Sequence, residues 1–421
     1  MSIELISLLA LVAAVVISGF ARLNVGILSI ALAWLIGHYL AGMSLNSIQA
    51  GFPLNLATIL FGITFLFSQA HINGTLDKIT QIAITAVSGR RALLPIVFFG
   101  MAVVLASIGP GNIGAVALLA PLAMTTAGKT RISAFLMTVM VANGANAGAF
   151  SPFAPTGIIA NGLINQMGIE MNPWTQVYLP SLIAQSFVAL VSYGVFGGVR
   201  MWREDASSHD VEAATLPPRE PFNRNQIITL ACIAALIIGV TVFKADAGFL
   251  AIALASTLSL LRAADQEAAI KMVPWNTIMM VCGVSVLIAI LQNTGGMELF
   301  TSLLASISTA SNVTGILAFV TGLISAYSSS SGVVMPAFIP VVPGLIAKLG
   351  GGNPAALVSA INVGSHLVDV SPLSTLGAMC IANAAPHENK DELFRRLLIY
   401  GLSMSVVGAL VCFVFFGLLL R

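Results

Sequence analysis

An all-α polytopic membrane protein built from two inverted repeats is the fold class that the sequence predicts. Three observations carry it. The chain of 421 residues is 57% hydrophobic and only 8% charged, with a mean hydropathy of +0.97, whereas soluble domains are about a quarter charged. Apolar runs long enough to cross a bilayer recur from end to end. The two halves match each other, in order, at an offset near 220.

Composition also excludes functions. So few charges cannot solvate the surface of a soluble enzyme, and the chain is far too apolar to be disordered. A net charge of +2 from 18 Lys+Arg and 16 Asp+Glu gives no ground for a nucleic-acid partner. The expected surroundings are a lipid bilayer. Cys232, Cys282, Cys380 and Cys412 stand singly in apolar stretches, so they read as packing residues and not as a metal or redox set.

A transmembrane helix needs about 20 apolar residues. Such runs occupy 4–20, 24–42 and 53–71. The first begins without a basic n-region and reads as a span, not as a cleaved signal. The run 92–127 is too long for one crossing and too short for two, so it reads as a re-entrant hairpin. A broken span, 132–166, and a final span, 174–199, complete a first repeat over 1–201. Residues 202–225 hold eight charges and Pro217-Pro218 and read as a solvated linker. The second repeat, 226–421, has spans 226–243, 247–261 and 274–292. A re-entrant hairpin 313–347, a broken span 354–384 and a final span 393–420 follow.

Basic residues set the orientation. With both termini outside and both long runs re-entrant, 15 of the 18 Lys and Arg face the cytoplasm; only Lys244, Lys348 and Arg421 do not. The linker is then cytoplasmic, and the protein belongs in the inner (cytoplasmic) membrane. The first repeat has an odd number of crossings, so the second is inverted. Pro53-Leu54-Asn55 matches Pro274-Trp275-Asn276, Gly62 matches Gly283, Gly144 matches Gly364, and Ser151-Pro152 matches Ser371-Pro372. Inverted repeats place a substrate near the midplane, between their discontinuous helices. The basic, amphipathic stretch from Thr75 to Leu93 and its counterpart Met297–Ser308 read as arms lying along opposite membrane surfaces.

Four polar interruptions break the apolar runs at matching places: 107–112, 143–157, 328–332 and 362–375. Irregular backbone at membrane depth survives only where protein or a wet cavity covers it. A half-helix that starts there offers N–H groups to an anion, and one that ends there offers carbonyls to a cation. The candidate substrate contacts are Gly111, Asn112, Ser151, Pro152, Thr156, Ser330, Ser331, Gly332, Ser371, Ser374 and Thr375. The candidate Na⁺ ligands are Pro110, Asn143, Asn146, Gly148, Ser329, Asn362, Ser365 and Asp369. Asp369 is the only carboxylate deep in a span, a functional position by default. It either ligates a cation, carries a proton, pairs with His366 or caps the half-helix after Pro372. His366 is a further candidate ligand. No Lys or Arg lies deep in a span, so an anionic cargo needs a co-bound cation, Na⁺ or H⁺.

The segment Gly51-Phe52-Pro53-Leu54-Asn55 through Gly62-Ile63-Thr64-Phe65-Leu66-Phe67, with Asn73-Gly74-Thr75-Leu76-Asp77, resembles the N-terminal region of the MatC-type malonate/dicarboxylate carriers. The plan of the whole chain is similar to the wider ion transporter superfamily, including the divalent anion/sodium symporters. Those symporters carry a Ser-Asn-Thr signature at each hairpin tip. Here Gly111-Asn112-Ile113 and Ser330-Ser331-Gly332 stand there, and Asn112 alone matches in kind. The resemblance implies an elevator-type secondary carrier of small carboxylates that forms a homodimer.

The leading reading is therefore a cation-coupled carrier of a dicarboxylate such as malonate or succinate, with Na⁺ favoured over H⁺. A cation/proton antiporter using Asp369 and a membrane subunit of a binding-protein-dependent carrier are the alternatives. An intramembrane enzyme is disfavoured, since no His/Glu metal set or GxSxG elbow occurs. The GxxxxGK[ST] phosphate cradle of an ATP-driven pump is missing too.

Overall fold

The computed structural model describes residues 2–21, 23–79, 91–205 and 221–418. Every regular element among them is helical. Eight helical stretches among them are long and apolar enough to cross a membrane. The protein is an all-α polytopic membrane protein.

Helix α1 (Ile3–Ala21) leads into α2 (Val25–Trp34), which a π turn extends to Leu40. Asn24 starts α2, because its side chain accepts the free N–H groups of Gly26 and Ile27. Short α3 (Leu45–Gln49) precedes α4 (Leu54–Ile72). Next come α5 (Leu93–Ile108), α6 (Gly111–Thr130), α7 (Ala134–Gly148), α8 (Pro155–Gln166), α9 (Leu179–Tyr193) and α10 (Val199–Asp205). The second half begins with α11 (Arg224–Thr241), α12 (Ala247–Leu260), α13 (Gln266–Met272), α14 (Trp275–Thr294) and α15 (Gly296–Ser306), which together with α1–α4 are called the frame. They are followed by α16 (Val313–Ser325), α17 (Met335–Phe338), α18 (Val342–Lys348), α19 (Pro354–Leu367), α20 (Thr375–Ala382) and α21 (Lys390–Cys412).

The frame is locked where glycines let backbones touch. Helix α2 packs on α14, and α4 packs on α12. A methyl group on Gly26 would collide with the carbonyl of Met279, and one on Gly283 with the backbone of Gly26. A methyl on Gly62 would collide with the carbonyl of Gly248. Two crossings thus use Gly against Gly, once in each sense between the halves. Such close approach replaces the hydrophobic drive that lipid cannot supply. Asn24 ties the first crossing further, its Nδ2 donating to the Asn276 Oδ1 at 2.6 Å and to the Asn276 carbonyl at 2.9 Å.

Helices α5 and α6 form a hairpin around Gly109-Pro110, and α5 packs along α7. The hairpin closes at Thr130, three residues beyond the end expected from hydropathy. The second hairpin differs. Its outgoing arm α16 is continuous, but its return arm is a π turn (Ser330–Val334), α17, a 3₁₀ turn (Ile339–Val341) and α18. Pro336, Pro340 and Pro343 lack the N–H that a continuous helix requires, which segments the arm. Both expected broken spans are broken: α7 and α8 are separated at 149–154, and α19 and α20 by a 3₁₀ turn, Val368–Val370, and a bend.

The expected linker is shorter than its charge pattern suggests. Helix α10 runs to Asp205, and α11 opens at Arg224 with a capping box between Asn223 and Gln226. Residues 206–220 of it lie outside the described residues, as does 80–90 of the expected first arm. The second arm is α15, whose buried side carries Met297, Thr301 and Leu304.

The glycine seams set a prediction. Gly283→Leu should abolish monodisperse, folded protein in detergent, because its side chain meets backbone that cannot move aside. Gly100→Ala, where a methyl meets nothing within 4 Å, should leave the melting temperature unchanged or raise stability by about 0.5–1 kcal/mol. Size-exclusion profiles and thermal melts check both.

Candidate functional site

The first hairpin turns on two glycines. Gly109 has φ +147° and Gly111 φ +68°, both in the region that favours glycine. A methyl on Gly109 would also run into the ring of Phe67 on α4, so the tip sits directly on the frame. Asn112, one residue into α6, donates from Nδ2 to the Asn146 Oδ1 at 2.8 Å. Asn146 donates in turn to the backbone carbonyl of His366 at 2.8 Å. One chain of hydrogen bonds therefore joins the first tip to the ends of both broken spans.

At the second tip the Ser330 hydroxyl donates to the Asp369 Oδ1 at 2.7 Å and lies 2.6 Å from the Ser325 hydroxyl. Ser374 is a second hydrogen-bonding neighbour of Asp369. Ser329 caps the return arm, its Oγ accepting the Gly332 N–H at 3.0 Å. Of the alternatives left open for Asp369, pairing with His366 is not found. His366 Nδ1 lies 2.9 Å from the Asn362 carbonyl and 2.9 Å from the Ser365 hydroxyl. The ring meets Phe150 edge-on. Nor does Asp369 cap the following half-helix: Ser374 holds the N-cap position of α20, without a side-chain cap bond.

Two cavities meet at the tips. One, of about 410 Å³, takes in Asn112, Ser328–Ser331, Asp369, Ser374, Thr375 and, from the frame, Asn276 and Met280. The other, of about 300 Å³, lies along the first hairpin and takes in Gly109–Gly114, Pro155, Thr156 and four residues of α4. Asn112, Ile113, Thr277 and Ser331 line both. Neither lining holds a Lys or Arg; Asp369 is the sole carboxylate in the larger, and His71 is the sole ionisable side chain in the smaller. The first turns of α6 and α8 line the smaller cavity, and that of α20 lines the larger. Their free N–H groups and positive dipole ends suit an anion. The Asp369 carboxylate, the serine hydroxyls and nearby carbonyls are hard oxygen donors that suit a cation.

The sequence-derived candidates divide accordingly. Pro110, Gly111, Asn112, Thr156, Ser329, Ser330, Ser331, Asp369, Ser374 and Thr375 line a cavity. Ser151, Pro152, Ser371 and Gly332 line neither. The carbonyls of Ser151 and Ser371 press against Gly157 and Gly377, so these serines shape the two breaks. Gly332 abuts Met280 of the frame. Gly148, Asn143, Asn146, Asn362, Ser365 and His366 are fully enclosed behind the tips. Asn143 donates toward the Tyr400 hydroxyl at 3.5 Å, and Ser365 donates back to the Ile361 carbonyl at 2.7 Å.

The frame's share of the walls went unread in the sequence. Thr64, Ser68 and His71 recur at helical spacing on α4, a polar stripe within an apolar run. Asn276 and Thr277 open α14 just after Pro274. The stripe was the available signal.

Residues 1–149 match the family model of the dicarboxylate carrier protein MatC N-terminus, in agreement with the resemblance carried by residues 51–77. The fold is one shared with solved transporters. The chain is similar to the YdaH transporter of Alcanivorax borkumensis, with a TM-score of 0.57, 16% identity, and coverage of 88% of this chain and 87% of that one. It is also similar to MtrF of Neisseria gonorrhoeae, described among antimetabolite efflux pumps, with a TM-score of 0.56, 11% identity, and coverage of 92% and 85%. No curated protein compared with the chain matches it.

The bridge through Asn146 predicts a stability effect. Asn146→Ala strips Asn112 and the His366 carbonyl of a buried partner, at a cost of about 1–3 kcal/mol. A lowered melting temperature in nanodiscs, with native-like secondary structure retained, is the expected outcome.

Proposed function

We propose that this protein is a secondary carrier of organic dicarboxylates across the cytoplasmic membrane, coupled to a cation. The observation that carries the reading is the meeting of two hairpin tips, at Asn112 and Ser331, on the shared wall of two cavities. Half-helix N-termini there receive a carboxylate, and Asp369 with Ser330 lies alongside for the cation. Na⁺ is the favoured ion, since serine hydroxyls, carbonyls and one carboxylate form a hard-oxygen environment; a proton on Asp369 is the alternative. Malonate and succinate are the first cargoes to assay, following the family match over residues 1–149.

The architecture supplies the mechanism. Residues 1–201 and 226–421 are inverted repeats joined by a cytoplasmic linker, with both termini outside. The crossed glycine contacts, Gly26 with Gly283 and Gly62 with Gly248, support this pairing. Helices α1–α4 and α11–α15 form a fixed scaffold, and the hairpins, broken spans and α9 and α21 move together against it as an elevator. The scaffold is the natural surface for a homodimer. Loading Asp369 with a cation neutralises the only deep carboxylate before the cargo crosses a low-dielectric path, which ties the two movements together.

Uptake of labelled malonate and succinate into proteoliposomes tests the reading. Wild-type protein should concentrate at least one of them under an imposed Na⁺ or proton gradient. Asn112→Ala should weaken apparent affinity by about tenfold or more, the worth of a hydrogen bond to a charged group. Asp369→Asn should remove the response to the cation. Sodium-dependent proton flux with no dicarboxylate uptake would favour the antiporter instead.

A further inference from the structure

The smaller cavity has a second polar end that the carrier reading leaves unused. It runs along α6 from Gly111 to Leu118, about 10 Å at 1.5 Å per residue. One end is the tip, with Asn112, Thr156 and Ser331. Phe67 marks that level on α4, since it lies against Gly109. His71 stands one turn further along α4, about 6 Å down the axis, with Ser68 beside it on the same face. The rest of the lining includes Phe67, Leu76, Leu118 and Met272. The cavity thus carries polar groups at the tip and, further along α4, at Ser68 and His71, in a lining that is otherwise largely apolar. At about 300 Å³ it lies within the size range of small-molecule sites.

Malonate, with one methylene between its carboxylates, is too short to reach both ends. We propose that this cavity takes a dicarboxylate whose carboxylates are separated by an apolar spacer, an aliphatic chain or a ring, and that His71 sets this preference. The inference rests on the carrier reading and refines the cargo of the same site. One carboxylate sits at the tip, on Asn112 and the first turn of α6. The spacer lies against the apolar part of the lining. The far carboxylate accepts hydrogen bonds from Ser68 and His71. The His71 ring makes no hydrogen bond within the described residues, and it is the only ionisable side chain in the lining. A separation of about 6 Å corresponds to roughly four to six carbons at about 1.5 Å per bond, as in adipate or a benzene dicarboxylate. His71 also lies in the last turn of α4, where a basic group steadies a helix end. That role alone would affect stability and not ligand choice.

The test is equilibrium binding to the purified full chain in nanodiscs with Na⁺ present, using malonate, succinate, adipate, terephthalate and the monocarboxylate hexanoate. Adipate or terephthalate should bind at least about tenfold more tightly than malonate, and adipate more tightly than hexanoate. His71→Ala should erase the advantage of adipate over hexanoate while leaving malonate affinity within about twofold. His71→Gln, which keeps a donor, should restore part of it, and melts of each variant report folding separately. Binding of malonate or succinate with adipate and terephthalate rejected would overturn the inference and keep the carrier reading. An adipate-to-hexanoate ratio unchanged by His71→Ala would also overturn the inference. Binding of no dicarboxylate at all would overturn both.

Discussion

A charge inside a bilayer must be compensated where it sits, and this constraint organises the whole molecule. The 8% charged share leaves no Lys or Arg in the cavity walls to hold an anion. What remains are backbone dipoles, hydroxyls, side-chain amides and one carboxylate. Backbone dipoles become usable only where helices are interrupted, and the chain interrupts them four times. The tips, the breaks and the enclosed Asn146 bridge all follow from that need. The proposed cation coupling rests on it too, because a dianion held by neutral groups would gain most from a cation placed beside it.

The two kinds of contact in the fold divide the labour. Where the halves must not move, glycine meets backbone: Gly26 against α14 and Gly62 against α12. Such seams have one good register and no soft side chain to absorb a shift. Where the tips meet the frame, the partners are side chains, Phe67 under Gly109 and Met280 under Gly332. Side chains can slide and re-seat where backbone cannot. The proposed elevator movement requires such a frame, with side chains and not backbone under each tip. The segmented return arm of the second hairpin, with its three prolines, starts beside Asp369.

Much of this was legible in the sequence, and for a specific reason. Gly, Pro, Ser and Asn inside apolar runs mark interrupted helices, because lipid forbids exposed backbone. Gly109-Pro110-Gly111 and Ser328–Ser331 therefore announced the tips. Other features carried no such mark. The bond from Asn146 ends on a backbone carbonyl, which any residue at 366 would supply. Ser151 and Ser371 share the polarity of the tips, yet their carbonyls serve the breaks. Thr64, Ser68 and His71 sit on an unbroken helix, and attention to interruptions passes over them. The Ser330 partner of Asp369 carried no mark in the sequence, because it is 39 residues away and is brought in by the hairpin.

The central claim is that anion and cation bind as a pair, and equilibrium binding measures it most directly. Binding free energies must couple reciprocally. Titrating purified protein with labelled dicarboxylate at several Na⁺ concentrations and pH values, and with cation at several dicarboxylate concentrations, gives both halves of the cycle. The account predicts that one of the two cations raises dicarboxylate affinity, and that the dicarboxylate raises affinity for that cation by the same factor. A dicarboxylate affinity that stays constant across Na⁺ and pH would contradict it.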